Sequence, residues 1–178
     1  REDIIALTPK WTGERLPDGR PKVPDKYLDA LYGMTLEELW KPIFVQGYEH
    51  QFIAMKSLHP EFKEDGSLNC KLVGRAMTAA YVPTRTDYYE ATCDIAAAQG
   101  YSGTPNQWVI DQLSNRDVLV VDMFDKIYKG TFVGGNLTTA IKSKTGTGGA
   151  VIWGGIRDVE QMQQVEGVQV YYRGIDPT

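Results

Sequence analysis

Sulfur and imidazole are scarce in this chain. Its 178 residues include two cysteines, Cys70 and Cys93, and two histidines, His50 and His59. Neither cysteine sits in a CxxC pair, and one possible bridge is too little for a disulfide framework, so two buried thiols are the plainer expectation. Two histidines cannot assemble a histidine-rich zinc site or an HExxH helix, so any metal must be bound by oxygen. No apolar run approaches the ~20 residues that cross a bilayer, since VLVV at 118–121 is followed by Asp122 and Asp125, and no membrane partner is expected. A basic excess is missing too: 19 Lys and Arg stand against 23 Asp and Glu, net charge -4, with the cations scattered, which argues against a nucleic-acid partner. The chain also lacks a GxSxG elbow, a Walker A loop and an EF-hand loop, so serine hydrolysis, P-loop nucleotide hydrolysis and calcium sensing lose their simplest support.

What is present, 42% hydrophobic and 24% charged residues, suits one globular domain with an extension. The chain begins at Arg1 rather than Met, so an upstream segment is expected, a cleaved signal peptide among the candidates; the compartment stays open, with the cytoplasm as the default. Residues 1–24 are polar and rich in Pro and Gly without a sustained period and read as an extended arm, with Trp11 and Leu16 available to pack it down. A helix is expected at 25–32, closed by Gly33. Thr35 and Glu38 form a capping box for a second helix, which Pro42 should kink or end. After a polar connection at 56–69, residues 70–82 read as the first core strand. A helix follows within 87–99, and Asn106 caps a short one through Leu113. VLVVD at 118–122 is a strand covered on both faces. KIY, Lys129-Gly130 and TFV suggest a small hairpin. Gly134-Gly135 opens a helix to about Lys144, AVIW at 150–153 and VQVYY at 168–172 are strands, and a short helix starts near Asp158. This alternation indicates an α/β layered domain, with an N-terminal arm and helices over 1–68 and a core over 69–178.

Three clusters could carry chemistry. TGTGGA at 145–150 has the glycines of a dinucleotide fingerprint but lies after a helix and before a strand, the reverse of that motif, so a helix end and turn is the better reading. Gly134-Gly135-Asn136 follows a strand and opens a helix, so free N–H groups and the positive dipole end converge on a carboxylate-sized spot, although from spacing alone an ordinary glycine turn is the plainer reading. Arg157-Asp158 lies past the carboxyl end of a strand, the edge where ligands bind in open α/β sheets. Arg offers a planar fork for a carboxylate and Asp a hard oxygen for Mg²⁺ or Mn²⁺, but Asp158 could also cap the next helix while Arg157 made a surface pair. Asp122 is a loop cap or a supporting acid, and Arg85, Asp87 and Tyr88 pack the fold or line the same edge. Tyr171 and Tyr172 are most simply strand residues.

GRAMTAAYVPTRTDYY at 74–89, VLVVDMFDKIYKGTFVGGNLTTA at 118–140 and GTGGAVIWGGIRD at 146–158 resemble consecutive blocks of the RraA-like family. That family includes regulators of ribonuclease E activity and metal-dependent, pyruvate-releasing aldolases. TPKWTGERLPDGRPKVPD at 8–25 is similar to the leader of a longer-armed branch. The resemblance implies an α/β/α sandwich of the swivelling type, a homotrimer with sites between subunits, and a divalent cation, Mg²⁺ or Mn²⁺. It implies that Arg157 binds the carboxylate of a small 2-oxo acid, that Asp158 holds the metal, and that the backbone of Gly134, Gly135, Asn136 and Leu137 completes the pocket. The implied activity is a lyase that cleaves a 4-hydroxy-2-oxo acid to pyruvate or decarboxylates oxaloacetate. The alternative is a non-catalytic regulatory or interaction protein of the ribonuclease E regulator type. The chain departs from the aldolase pattern at Gly135-Asn136 and at Gln161, where family aldolases carry acids, and Glu160 should point elsewhere on its helix. The family also continues beyond a position like Thr178, so the C-terminal part of the domain is expected to be missing or present as a separate chain.

Overall fold

In a computed structural model of the chain, residues 1–49, 52–60, 62–66 and 71–178 are described; the expectations on His50 and Cys70 lie outside them. The chain divides into two compact units, Arg1–Gln51 and Phe52–Thr178.

In the first unit the expected extended arm is folded. It begins with α1 (Glu2–Leu7) and then wraps around one guanidinium. Arg15 donates to Thr8 Oγ1, Thr8 O and Gly19 O, each at 2.8 Å, and to Trp11 O at 3.2 Å. A planar cation with five donors satisfies carbonyls that no helix or sheet serves, which lets a polar, aperiodic segment hold a shape. Periodicity carries no trace of such a bond set. Helix α2 (Asp25–Tyr32) ends at Gly33 as expected. The Thr35 and Glu38 capping box opens α3 (Leu36–Val45), which continues through Pro42 instead of ending there.

The second unit is built on a five-stranded sheet in the order β1-β5-β4-β3-β2, the mixed α/β fold the alternating pattern implied. Its strands are β1 (Lys56–Ser57), β2 (Arg75–Ala80), β3 (Asp117–Val133), β4 (Gly149–Ile156) and β5 (Gln169–Ile175). Strands β2 to β5 are parallel neighbours in chain order, and β1 pairs antiparallel with β5 at the edge. Between them run α4 (Thr86–Ala98), α5 (Pro105–Asp111), α6 (Gly135–Thr145) and α7 (Val159–Gln163), with α5 packed on α6 and α6 on α7. Leu119, Val121, Ala150, Ile152, Ile156, Val170 and Met162 are buried in one core. They come from the apolar strand runs and the inner side of α7. Among the described residues no helix is long and apolar enough to cross a membrane.

Local expectations are corrected at three places. Thr104, not Asn106, is the N-cap of α5, with Gln107 Oε1 accepting its N–H at 2.8 Å. Pro105 at the first helical position supports that start, since a missing N–H costs nothing there. The expected hairpin at 126–133 is part of β3, whose register against β4 shifts between Asp122 and Lys126, Lys126 and Thr131, and Thr131 and Val133. Its left-handed residues are Phe124, Asp125 and Lys129, not Gly130. Gly130 is required for another reason: a Cβ there would collide with the carbonyl of Lys126. The third correction concerns Cys93, which is free and half-buried on α4 rather than fully buried.

Candidate functional site

Three chain segments meet at the carboxyl end of the sheet. The buried run of β4 ends at Ile156 and delivers Arg157 and Asp158, and Arg157 N–H donates to Val133 O at 3.0 Å, which fixes that exit against the end of β3. Beside it β3 passes through Gly134 into α6, whose first N–H groups face outward with the positive end of an 11-residue helix dipole. The third segment is the start of α5, where Asn106 Nδ2 donates to Phe132 O at 2.9 Å.

Two features place the Arg-Asp pair against the glycine turn. A Cβ on Gly134 would collide with Asp158 Oδ2 and come within 3.0 Å of Arg157 Cγ. Since Gly134 has φ -134, its backbone suits any residue, and what a Cβ would meet there is the side chains of Asp158 and Arg157 alone. Asp158 itself has φ 53 and ψ 39, a left-handed conformation that costs an L-residue roughly 1 kcal/mol. It stands at the N-cap position of α7, yet its side chain makes no cap hydrogen bond. The helix-capping alternative therefore fails for this carboxylate. Its partner is Arg157, Nε to Oδ2 at 3.5 Å, and among the described residues the outer guanidinium nitrogens make no hydrogen bond.

The result is a cleft of about 240 Å³ lined by Gly134, Asn136, Leu137, Arg157 and Asp158. Gly135 lies beside it under Gln161, whose Oε1 would be 2.6 Å from a Cβ added there. The cleft is completed by Asn106, Thr131, Phe132, Val133 and Thr178. Phe132 is braced edge-on by Tyr81 with ring centroids 5.2 Å apart, and Tyr81 donates its hydroxyl to Pro105 O at 2.9 Å. Burial pushes that phenol up to about 12. Behind the lining residue Thr178, Asp176 accepts from Lys129 N–H at 3.3 Å and from Thr178 N–H at 3.0 Å. The Thr178 hydroxyl, then its N–H, holds the Asp176 carboxyl below the usual range.

The other candidates fall elsewhere. Asp122 caps its own loop, accepting from Phe124 N–H at 2.7 Å. Arg85 and Asp87 form an exposed pair at 2.8 Å, and neither they nor Tyr88 line the cleft. Glu160 is exposed outside it, as its helical direction required. Asn106, Thr131 and Thr178 are lining residues that sequence reasoning missed. The polar signal at Asn106 reads as a helix cap, and nothing local ties it to Phe132.

A divalent cation can be tested against this donor set. Among the described residues Asp158 is the single carboxylate side chain lining the cleft, and no group of three or more His, Cys, Asp and Glu that could hold a metal is found. Mg²⁺ commonly takes one or two carboxylates and fills its octahedron with water and ligand oxygens. The residues fit a cation shared with a bound acid rather than a cage that holds one alone.

The family model for Aldolase/RraA matches residues 29–178. The chain belongs to the RraA-like family. This family includes lyases and non-catalytic inhibitors of RNase E. Among solved structures, the chain is similar to one described as a novel cellulase from microbes associated with the gut ecosystem, with 20% identity and TM-score 0.62 over 99% of this chain and 68% of that one. It is similar to an uncharacterized protein from Pseudomonas syringae pv. tomato, with 19% identity and TM-score 0.63 over 93% and 62% of the two chains. It also resembles RraAS2 of Streptomyces coelicolor, an unusual member of the RNase ES inhibitor RraA family, with 20% identity and TM-score 0.55 over 93% and 67%. At these identities the likeness shows the fold alone. The RraA-like chain thus spans about two-thirds of the length of the structures it matches. No curated protein compared with it matches in sequence.

Proposed function

We propose that this RraA-like protein is a lyase that cleaves a 4-hydroxy-2-oxo acid to pyruvate, with Mg²⁺ or Mn²⁺ as its cofactor. One observation carries the reading: a guanidinium fork with its outer nitrogens open, an uncapped carboxylate and the amide end of α6 share one cleft, with both side chains lying against Gly134. Arg157 grips the substrate carboxylate through its outer nitrogens, a bidentate geometry that also sets orientation. The α6 amides lie where negative charge is favoured. The reaction removes the proton of the 4-hydroxyl, breaks the C3–C4 bond, leaves C4 as a carbonyl and passes the electron pair to a pyruvate enolate, which is protonated at C3. A cation held at Asp158 supplies Lewis-acid stabilisation of the growing enolate charge, worth several kcal/mol in such reactions. Phe132, Val133 and Leu137 form the apolar side of the cleft and limit the water around that charge.

The test measures pyruvate released from 4-hydroxy-2-oxo acids with Mg²⁺ or Mn²⁺, with EDTA and with Asp158→Gly. Glycine suits the left-handed backbone, so this variant removes the carboxylate without straining the turn. A fall of at least ~100-fold with either treatment is expected, in the range seen when one electrostatic stabiliser is lost. Release indifferent to both would remove the proposal.

The regulatory reading has one observation in its favour. On α3, Trp40, Ile43, Phe44 and Val45 are exposed, with Trp40 and Phe44 rings 4.9 Å apart, an apolar stretch of the kind that meets protein partners. It predicts no uptake of Mg²⁺ or Mn²⁺ in a calorimetric titration, where the lyase reading predicts binding.

A further inference from the structure

Helix α5 contributes Asn106 to the cleft lining, and its seven residues are too few to hold a place unaided, so ties to the rest of the fold must fix it. Two hydrogen bonds reach its first turn from distant segments. Within the lining, Asn106 Nδ2 donates to Phe132 O at 2.9 Å. Outside it, the Tyr81 hydroxyl donates to Pro105 O at 2.9 Å.

Tyr81 is itself anchored to the sheet. It directly follows β2, its N–H donates to Asp122 O at 2.9 Å, and its half-buried ring packs against the core, edge-on to Phe132. A carbonyl oxygen has two lone pairs, so Pro105 O can take the hydroxyl beside a helical bond. Asn106 is the next residue. Its Oδ1 accepts from Gln107 N–H at 3.1 Å and lies within hydrogen-bond reach of the Thr104 hydroxyl, so the oxygen is turned to its own helix and Nδ2 to the end of β3. The orientation of that amide thus depends on where the first turn of α5 is held.

We infer that Tyr81 is a positioning residue for the cleft, acting through Asn106: its hydroxyl holds the start of α5 where the Asn106 amide braces the end of β3 beside Gly134. For ligand binding, this step rests on reading the cleft as an oxo-acid site. Tyr81 lines none of the cleft, so what it transmits is geometry, and small displacements of positioning groups weaken a site by large factors.

Tyr81→Phe keeps the ring against Phe132 and removes only the tie. Exchange of the Asn106 side-chain amide protons, followed by NMR, is expected to speed up about three- to tenfold, the size of one lost hydrogen bond. Pyruvate affinity, titrated calorimetrically in Mg²⁺ buffer, should fall by about the same factor. In an Asn106→Ala background Tyr81→Phe should cost no further affinity, because the group it acts through is gone. Gln169→Leu, which strips a buried amide from the start of β5, should move neither readout, so general loosening is told apart from positioning. Unchanged Asn106 exchange in Tyr81→Phe overturns the inference. So do faster exchange with unchanged pyruvate affinity, additive losses in the double variant, or the same response in Gln169→Leu. An unaltered protein that takes up no pyruvate overturns the oxo-acid reading alone, and exchange at Asn106 then decides whether Tyr81 holds this wall.

Discussion

The two ends of the parallel sheet treat polar groups in opposite ways. At the amino end the buried Asp117, Thr145 and Gln169 are spent on the fold. Asp117, fully buried, accepts from Ser114 N–H at 2.9 Å, and its carbonyl takes the Thr147 hydroxyl at 2.8 Å. Thr145 Oγ1 donates to Ile141 O at 2.8 Å and accepts from Gly148 N–H at 3.0 Å. Gln169, also buried, acts as one more rung of sheet: its Oε1 accepts from His59 N–H at 3.1 Å and its Nε2 donates to His59 O at 3.0 Å. At the carboxyl end the Arg157 fork, the Asp158 carboxylate and the Asn136 amide keep capacity in hand, and Asp158 bears a left-handed backbone. Buried polar groups left unsatisfied are costly, so a fold tolerates unspent ones where they are open to solvent and a ligand can use them. That contrast marks the carboxyl end as the working one.

The sharpest way to break the comparison is to crowd the carboxyl end. Gly134→Ala puts a methyl group against Asp158 and Arg157, and oxo-acid affinity is expected to fall at least about tenfold, with a stability loss of about 1–3 kcal/mol from overpacking. Titration with pyruvate alongside urea unfolding reads both effects; unaltered affinity would mean that the Arg-Asp pair need not lie against the turn. The amino end should respond only in stability. Gln169→Leu keeps the bulk and strips the rung from His59, so unfolding free energy should drop by about 1–3 kcal/mol while turnover of the folded fraction stays the same. A loss of turnover without a loss of stability would reverse the roles of the two ends.

The smallest effect concerns the bulge of β3 beside the cleft. There Asp125 is hydrogen-bonded by Arg173 at 2.8 Å, and Arg173 stacks over Trp153 at 4.4 Å. The Arg173 side-chain hydrogen bond holds the Asp125 carboxyl below its ordinary 3.8. A depressed folded value gives stability that is whole above the ordinary value and lost as pH falls through the lowered one. Asp125→Asn should therefore differ from the unaltered protein slightly at about pH 6 and less at about pH 2 in urea midpoints, because the exposed pair is screened. A difference that does not change with pH would show that this carboxylate does not titrate through the pair.

Much of the molecule was legible residue by residue. VLVVD at 118–122 and AVIW at 150–153 appear as β3 and β4 because continuous apolar runs fit strands covered on both faces. The Thr35 and Glu38 box and the turn at Gly146 were legible because caps are local chemistry. The arm around Arg15 was not, since its bonds go to irregular carbonyls that leave no period. Asn106 was misplaced for a related reason: its bond to Phe132 is made across the fold, whereas its neighbours in sequence advertise only a helix start.

For the site the division is cleaner. The sequence by itself carried the resemblance of its blocks to the RraA-like family, and it determined an α/β chain in which a glycine pair and an Arg-Asp pair follow strands, because strand periodicity and turn chemistry are written in neighbouring residues. Only the tertiary structure decided that Gly134 and the Arg-Asp pair share a cleft, that Asp158 does not cap its helix, and that the Asn136 amide has no partner among the described residues. Those facts depend on which strand lies beside which and how far β3 bulges before it ends, and such register is set by packing between segments distant in the chain.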